Sequence, residues 1–264
     1  MRKNSDLLPP SSTNNQTGIP FIELRSVDST NNYAMQLVNN GLAVSGTAVF
    51  AYEQSSGKGQ RGKQWLTAKG MNITMSLVLN VNYLPVSRQF LLSAAIALAT
   101  NDFFEGYANG DCTIKWPNDL YWRDRKAGGI LIENIIRGQE WQWAIVGIGI
   151  NINQPAFDTS LINPVSLKQI TGRDFTVVEL AKELCNFVET RLIKLKSGDH
   201  QSLMEEYNSK LYKRNEVIRL KKDNISFDSL LKNVNEYGQL VIEKGIEHHY
   251  NVGDVEWVSN DQPG

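Results

Sequence analysis

Residues 57–65 form a glycine-rich segment, GKGQRGKQW, which restricts the folds open to this chain. Gly57, Gly59 and Gly62 tolerate positive φ, so successive backbone N–H groups can point at one anion. A strand pattern at 49–52 leads into the segment, but no helix pattern begins after Gly62. The dinucleotide fingerprint opens a helix and the P-loop requires Gly-Lys-Ser/Thr, so both of these nucleotide folds are disfavoured. We call residues 57–65 the glycine loop.

The side chains of the glycine loop leave two interpretations open. Lys58, Arg61 and Lys63 could place cations at the rim of an anion site, and Trp65 could stack on a base or roof a pocket. A surface loop with solvated charges is the simpler explanation when the glycine pattern is taken alone.

A second segment, Lys115-Trp116-Pro117-Asn118-Asp119, holds a lysine at a tight corner. Trp116 shields one side of Lys115, and Pro117 restricts the backbone of Trp116. A lysine fixed in this way can act as a point charge on a phosphoryl oxygen or a carboxylate. A solvated lysine at a strand end is the alternative. Asn118 and Asp119 suit an ordinary turn, but they could also orient a metal or a ribose.

Glycines recur in two later apolar stretches. Gly128 and Gly129, close to Lys126, allow a ligand or a neighbouring backbone to approach closely. Glycines at 147 and 149 alternate in an apolar strand and leave one face bare, which suits a flat ring with Asn151 at its edge. Tight sheet packing explains the same alternation equally well.

Composition excludes several function classes. With 264 residues and a net charge of −1, the chain offers no broad cationic surface for nucleic acid or anionic lipid. The polar N-terminus is not a signal peptide, and no run of about 18 apolar residues could span a membrane. The two isolated cysteines indicate reduced thiols. We therefore expect a cytoplasmic protein. Lacking a metal-ligand cluster or a Ser-His-Asp pattern, its catalysis would be electrostatic and positional.

Periodicity predicts an α/β domain followed by a small all-β unit. Residues 1–19 are expected to be a disordered tail, and a domain boundary is expected near residue 213. We expect a helix after Val27, capped by Asp28 or Ser29, and an all-β region over 112–153. The strand patterns cover 21–24, 47–54 and 72–80 (half-buried), the helix patterns 85–108, 176–196 and 200–212, and short barrel strands follow from 217 to 258.

Five ordered motifs resemble those of biotin protein ligases, over roughly residues 21–258. The resemblance implies a catalytic domain (20–212) like that of class II aminoacyl-tRNA synthetases, with a mixed sheet, and an SH3-like barrel (213–264) whose marks are Gly238 and residues 253–255. The motifs lie at 28–31, 57–65, 115–119, 126–133 and 147–151.

The resemblance also implies an activity and its partners. Biotin and ATP, with Mg²⁺, would form biotinyl-5′-adenylate, and the biotinyl group would pass to a lysine of a biotin carboxyl carrier protein or domain of a biotin-dependent carboxylase. Family members can form homodimers through edge strands. No DNA or membrane partner is expected.

The motifs carry functional residues over to this chain. Lys115 and Arg61 would be catalytic. Biotin would be bound by Ser29, Thr30, Asn31, Gln54, Gly57, Lys58, Gly59, Gln60, Lys115 and Gly128. ATP and the adenylate would be bound by Lys58, Arg61, Lys63, Trp65, Asn118, Lys126 and Asn151. The identity of the metal ligands is left open.

Two departures from the family pattern matter. The roughly twenty polar residues before Phe21 are too few for the DNA-binding helix-turn-helix of bifunctional relatives, so a monofunctional ligase is expected. Lys58 and Gln60 stand where many relatives have two arginines, and an amide supplies no charged fork to phosphate. We therefore expect weaker retention of the adenylate.

Rival functions remain at this point. Lipoate–protein ligases share the implied fold and chemistry, although the glycine loop favours biotin. A non-catalytic biotin or nucleotide sensor is a second rival, which Lys115 and the loop disfavour. A DNA-binding role is poorly supported by the charge balance.

Overall fold

The computed structural model of the protein describes residues 16–258. Its centre is a seven-stranded sheet in the order β1-β2-β3-β7-β6-β5-β4, with β1 parallel to β2 and the other pairs antiparallel. The mixed sheet confirms the predicted α/β class. Its strands are β1 (Phe21–Leu24), β2 (Ala48–Ala51), β3 (Asn72–Asn80), β4 (Cys112–Lys115), β5 (Asp119–Trp122), β6 (Arg125–Arg137) and β7 (Glu140–Asn151).

Five helices accompany the sheet within the described range. They are α1 (Thr30–Asn39), α2 (Gln89–Ala108), α3 (Leu167–Thr171), α4 (Val177–Lys196) and α5 (His200–Ser209). Helix α3 was not predicted, although its sequence carries a capping box in which Ser166 and Gln169 exchange hydrogen bonds. A 3₁₀ turn, Val86–Arg88, precedes α2 where the helix pattern had begun. Ser29 is the N-cap of α1, but its side chain makes no capping hydrogen bond.

The two faces of the large sheet are covered by different helices. Met75 of β3 belongs to the main core and its sulfur lies 3.8 Å from that of Cys185 on α4. Val78 lies on the opposite face of β3 and packs with Ala34 and Val38 of α1. The prediction that residues 72–80 are half-buried is therefore wrong, since every residue of β3 except Asn80 is buried.

The C-terminal strands form a second, open sheet of five strands in the order β11-β10-β9-β8-β12. The two end strands do not pair with each other, so the predicted closed barrel is not confirmed. Strand β12 has only two residues and pairs only with β8, which leaves too short a ladder for closure. The strands are β8 (Val217–Lys222), β9 (Ile225–Val234), β10 (Leu240–Lys244), β11 (Ile246–Tyr250) and β12 (Glu256–Trp257).

The second sheet packs directly on the first unit. The indole N–H of Trp116 donates to the carbonyl of Gly238 at 2.9 Å, and Phe90 of α2 lies against Gly238. Ile218 and Leu240 join the same apolar core as the large sheet. The boundary near residue 213 stays a prediction, because this core runs across it.

The predicted disordered tail, residues 1–19, overlaps the described residues only from residue 16 onward. Of the expected tail, residues 1–15 lie outside the described range. The structure differs from the prediction for the next residues: Thr17 is buried and bonded to Glu189, and the N–H of Gly18 donates to Gly46 at 2.7 Å. No helix in the described residues is long and apolar enough to cross a membrane.

A buried arginine ties three helices together. Arg191 of α4, with a side chain only 6% exposed, donates from Nε to Asp102 of α2 at 2.7 Å and from Nη2 to Glu206 of α5 at 2.6 Å. The guanidinium group lowers the pKa of the Glu206 carboxyl. Removing the cation would leave two carboxylates without a partner in a partly buried site.

We expect Arg191→Ala to lower the free energy of unfolding by about 3–5 kcal/mol, the usual effect of breaking a buried pair. Urea unfolding followed by circular dichroism measures this change. The control is Lys194→Ala on the exposed face of the same helix, for which a change within about 0.5 kcal/mol is expected. Equal stabilities of the two variants would contradict the prediction.

Candidate active site

The register of the large sheet brings Lys115 and the bare glycines onto one face. Lys115 pairs with Asp119, Asp119 with Gly129, and Gly129 with Gly149, which pairs in turn with Thr74. Directly paired residues point to the same face, so these five residues form one row across the sheet. At about 4.8 Å per strand, the Cα of Lys115 lies roughly 14 Å from that of Gly149 along this row. We call this the glycine row.

The adjacent glycines Gly128 and Gly129 lie on opposite faces of the large sheet. Gly129 is a member of the row, whereas Gly128 pairs with Ile150 in the neighbouring row, which faces the buried helices. A Cβ at Gly128 would lie 2.7 Å from the carbonyl oxygen of Gly149. In the structure Gly128 allows strands β6 and β7 to pack closely and Gly129 is the one on the site face, so the biotin contact at Gly128 stays a prediction.

Gly147 and Gly149 make room for two side chains above the sheet. A Cβ at Gly147 would overlap the amide of Asn31, and a Cβ at Gly149 would overlap the indole of Trp65. Only glycine fits at these two strand positions, because the Asn31 amide and the Trp65 indole lie directly on the backbone. The flat ring expected on this face is, in the structure, that of Trp65 itself.

A polar network begins at the N-terminus of α1. Gln54, which follows β2, accepts from the backbone N–H of Thr30 at 2.8 Å and from its hydroxyl at 3.1 Å. Ser76 of β3 lies 2.7 Å from the same hydroxyl, and Ser29 is buried beside it in the chain. These residues converge although they come from three elements.

Asn31 continues the network toward the glycine loop. Its Oδ1 accepts from Ser76, and its Nδ2 donates to Glu133 at 2.7 Å, which fixes the orientation of the amide. The other oxygen of Glu133 lies 3.3 Å from the ammonium of Lys58 in the glycine loop. Glu133 was not singled out from the sequence, although it ends the motif at 126–133.

The glycine loop folds back on itself above the glycine row. The N–H of Trp65 donates to the carbonyl of Gly57 at 2.9 Å, and that of Gly59 donates to Lys63 at 2.7 Å. Arg61 takes the left-handed conformation at φ 54° and Gly62 follows at φ 73°. The tip of the loop therefore carries Gln60 and Arg61 outward, and Arg61 reaches Glu256 of β12 at 3.5 Å.

Trp65 has an unused donor. Its indole nitrogen is buried and has no hydrogen-bond partner among the described residues. A cavity of about 210 Å³ lies beside it, smaller than the roughly 300 Å³ at which ligand pockets begin. The cavity is lined by residues of the loop and of the segment after β7: Gln54, Gly57, Trp65, Thr67, Gln154 and Asp158.

Lys115 lies among aromatic rings at the other end of the glycine row. Its ammonium is 4.8 Å from the ring centroid of Tyr121, 5.6 Å from that of Tyr212 and 4.9 Å from that of Trp257, and it donates to the Tyr121 hydroxyl at 3.2 Å. Burial lowers the pKa of Lys115 to about 8. The structure thus provides a poorly hydrated lysine rather than a solvated one. We call these three rings the aromatic box.

Three further predicted residues make structural bonds. Lys126 forms an ion pair with Asp119 at 2.7 Å, next to Gly129. Asn118 donates its amide to the carbonyl of Ile130, and the amide of Asn151 donates to that of Val165 at 3.1 Å. Lys126 therefore lies within the site, whereas Asn118 and Asn151 hold its backbone. Lys63 is exposed on the loop.

No metal centre is preformed in the part of the chain that the structure describes. Residues 16–258 contain no group of three or more His, Cys, Asp or Glu that could hold an ion. Asp119 is paired with Lys126, so it is not free as a ligand. The described donor set does not fit a resident metal.

Comparison with known proteins confirms the resemblance indicated by the motifs. Residues 23–151 match the family described as "Biotin/lipoate A/B protein ligase family". The bifunctional ligase/repressor BirA of Escherichia coli (strain K12) is 31% identical over 137 residues, covering 52% of this chain and 42% of that protein. The biotin–[acetyl-CoA-carboxylase] ligase of Paracoccus denitrificans is 36% identical over 157 residues, covering 56% of this chain and 63% of that protein. The match thus spans only part of each curated relative.

The fold similarity extends further along the chain. The solved structure of biotin protein ligase from Aquifex aeolicus in complex with biotin and ATP superposes with a TM-score of 0.76 at 25% sequence identity. The superposition covers 89% of this chain and 97% of that chain. Both the large sheet and residues beyond the family match therefore have counterparts in a solved structure.

We expect Gly149→Ala to displace Trp65 and loosen the glycine loop, because the new Cβ would overlap the indole. Overpacking of this kind costs about 1–3 kcal/mol, so trypsin cleavage after Lys58, Arg61 or Lys63 should be at least about fivefold faster. The control is Gly106→Ala in α2, where nothing lies within 4 Å of the added atom. It should leave the cleavage rate unchanged, and the same rate in Gly149→Ala would contradict the prediction.

Proposed function

We propose, from the match of residues 23–151 to the biotin/lipoate A/B protein ligase family, that this chain is a biotin protein ligase. It would activate biotin with ATP to biotinyl-5′-AMP and transfer the biotinyl group to a lysine of a biotin carboxyl carrier domain. The observation that carries the proposal is the glycine row, which aligns Lys115 with a side-chain-free floor beneath a cationic loop. The relatives named above act as ligases by their names, and one was solved with biotin and ATP.

The polar network around α1 suits the ureido head of biotin. A cyclic urea presents two N–H donors and one carbonyl acceptor, so it needs acceptors and donors placed together. Asn31 keeps its amide in one orientation, with Oδ1 toward Ser76 and Nδ2 toward Glu133. Thr30 and Gln54 add a hydroxyl and an amide at the same point, with Ser29 next to them. Gly57, Gly59 and Gln60 would close over the ring system.

The cations suit the opposing charges of the reaction. A carboxylate and a triphosphate repel each other, so Lys115 and Arg61 would draw them together, with Lys58 and Lys63 on the loop. A carboxylate oxygen attacks the α-phosphorus, the bond to pyrophosphate breaks, and negative charge accumulates on the α-phosphate. A fixed ammonium at that position can contribute on the order of 3 kcal/mol, as preorganised oxyanion donors do.

In the second step, transfer of the biotinyl group to the carrier, the main requirement is to exclude water from the mixed anhydride. The carrier's amine attacks the acyl carbon of the mixed anhydride, AMP leaves, and the amine loses a proton. Water would compete for the same carbon, so a loop that covers the anhydride preserves it. Trp65 would lie beside the adenine, with its unpaired indole N–H available to a nucleotide acceptor.

Magnesium would come as part of the substrate. Mg²⁺ is usually held by phosphates with one or two carboxylates, and the described residues offer no preformed group for it. We therefore place it with ATP and assign no step of the mechanism to it.

The finer architecture and setting are also proposals. The mixed sheet would be of the class II aminoacyl-tRNA synthetase type, and the open second sheet would be an SH3-like module whose ring of strands is left incomplete by the short β12. The protein would act in the cytoplasm.

Pyrophosphate release from Mg–ATP, with biotin or lipoate supplied separately, tests the proposal. Mass spectrometry of the bound product identifies the acyl-adenylate. Release that depends on biotin supports the ligase, and release that depends on lipoate assigns the chain to the sister activity. Tight biotin binding without release would favour the sensor.

We expect Lys115→Ala to lower the rate of adenylation at least about a hundredfold, because about 3 kcal/mol of transition-state stabilisation is lost. Single-turnover pyrophosphate release measures the rate, and circular dichroism checks that the fold persists. Lys69→Ala, at an exposed lysine that follows the loop, serves as the control and should keep the wild-type rate. A near-wild-type rate for Lys115→Ala would exclude this role.

We expect Gln60→Arg to slow the release of biotinyl-adenylate, since an arginine at the loop tip adds a charged fork for phosphate. Stopped-flow measurement of the off-rate should show a decrease of at least about threefold, typical of one new charge-assisted contact. Gln139→Arg, which adds the same charge at the exposed turn between β6 and β7, is the control. Equal off-rates in wild type and Gln60→Arg would end the hypothesis.

A further inference from the structure

Strand β12 contacts both residues assigned to catalysis. Glu256 lies 3.5 Å from the guanidinium of Arg61, and a Cβ added at Gly253 would lie 3.1 Å from the same group. Its neighbour Trp257 places its ring 4.9 Å from the ammonium of Lys115. The two cations come from different segments of the large unit, and adjacent residues of the small sheet hold them.

The position of Trp257 is fixed by its own hydrogen bond rather than by the sheet. Strand β12 pairs through only two residues, so the ladder alone gives it little support. The Trp257 indole N–H donates to the carbonyl of Trp116 at 3.1 Å, and the Trp116 indole donates to Gly238 at 2.9 Å. These two bonds attach the corner that carries Lys115 to the second sheet from both sides.

Trp257 supplies one wall of the aromatic box from outside the large sheet. Tyr121 lies on β5 and Tyr212 follows α5, so without Trp257 the ammonium would face the second sheet uncovered. An aromatic face attracts a cation and at the same time excludes water from it. Such a ring can restrict where a flexible lysine places its charge without neutralising it.

We propose that Trp257 is a positioning residue that holds the Lys115 ammonium at the end of the glycine row, so that the C-terminal sheet completes the adenylation centre. This inference rests on the proposed function. No residue of the small sheet was assigned to the site from the sequence. Arg61 and Glu256 give the same strand a second, weaker contact to the site.

The groups facing Lys115 determine what loss of the ring would do to its charge. Asp119 and Asp124 favour the ammonium, Lys126 and Lys213 oppose it, and Tyr121 and Tyr212 are neutral because their own pKa values are raised. Burial is the largest influence and lowers the pKa of Lys115 to about 8. Removing the indole readmits water, so the pKa should rise toward that of an ordinary lysine.

The first experiment compares Trp257→Leu with Trp257→Phe. Loss of the ring should lower kcat for biotin-dependent pyrophosphate release at least about tenfold, since a misplaced catalytic group loses orientation, with the biotin Kd within about twofold of wild type. Phenylalanine keeps a ring over the ammonium but loses the indole hydrogen bond to Trp116, so the kcat of Trp257→Phe should fall between those of wild type and Trp257→Leu. Tyr237→Leu, at an exposed aromatic residue beside β10, is the control for removing an aromatic from this sheet.

The pH profile separates positioning from a loss of structure. The kcat/KM of wild type should fall above pH of about 8, as the Lys115 ammonium loses its proton. In Trp257→Leu this limb should move upward by at least about one pH unit, because a hydrated ammonium keeps its proton longer. A merely destabilised enzyme would lose activity without moving the limb.

Chemical labelling tests the contact itself without any turnover. The rate at which acetic anhydride modifies Lys115, followed by mass spectrometry across pH, reports its pKa in the free protein. An unchanged labelling profile in Trp257→Leu, or an unchanged kcat and pH limb in an active enzyme, overturns the inference. A wild type without biotin-dependent release overturns the proposed function and with it the catalytic role, while the labelling shift would still establish that Trp257 holds Lys115.

Discussion

The strand register of the large sheet is the constraint on which the site depends. Lys115, Asp119, Gly129 and Gly149 come from four strands, and only one register places them in a single row. A slip of one residue would turn Lys115 into the core and bring Ile114 to the site face, as the alternation of a strand requires. The apolar residues of the neighbouring row, packed on the helices, therefore fix the position of the charge.

The glycines of β7 leave bare backbone on the site face of the large sheet, and side chains of the same protein cover it. Gly147 and Gly149 let Asn31 and Trp65 lie on the backbone, which creates close contacts but leaves the Trp65 indole nitrogen without a partner. A buried unsatisfied donor costs about 1–3 kcal/mol. Under the proposed function, an acceptor on the nucleotide would pair with this donor and offset that cost.

Local sequence predicted what depends on short spacing and missed what depends on long-range pairing. The glycine loop and the Lys115 corner were visible because their residues are adjacent, and the strands from 112 to 151 follow from alternation. The choice of Gly129 over Gly128 required the register. Glu133 reaches Lys58 across 75 positions and Trp257 reaches Trp116 across 141, and no periodicity encodes such contacts.

Both sheets contribute aromatic rings that hold the buried ammonium of Lys115 in place. Removing water from an ammonium is unfavourable, which the lowered pKa of Lys115 records, but the same dry surroundings strengthen its attraction for a phosphate. The charge is therefore useful only if something other than water holds it in place. The large sheet supplies the backbone corner and Tyr121, and the small sheet supplies Trp257. Without β12 this lysine would lose one of its three aromatic neighbours and regain water, and under the proposed function its electrostatic effect on the phosphate would weaken.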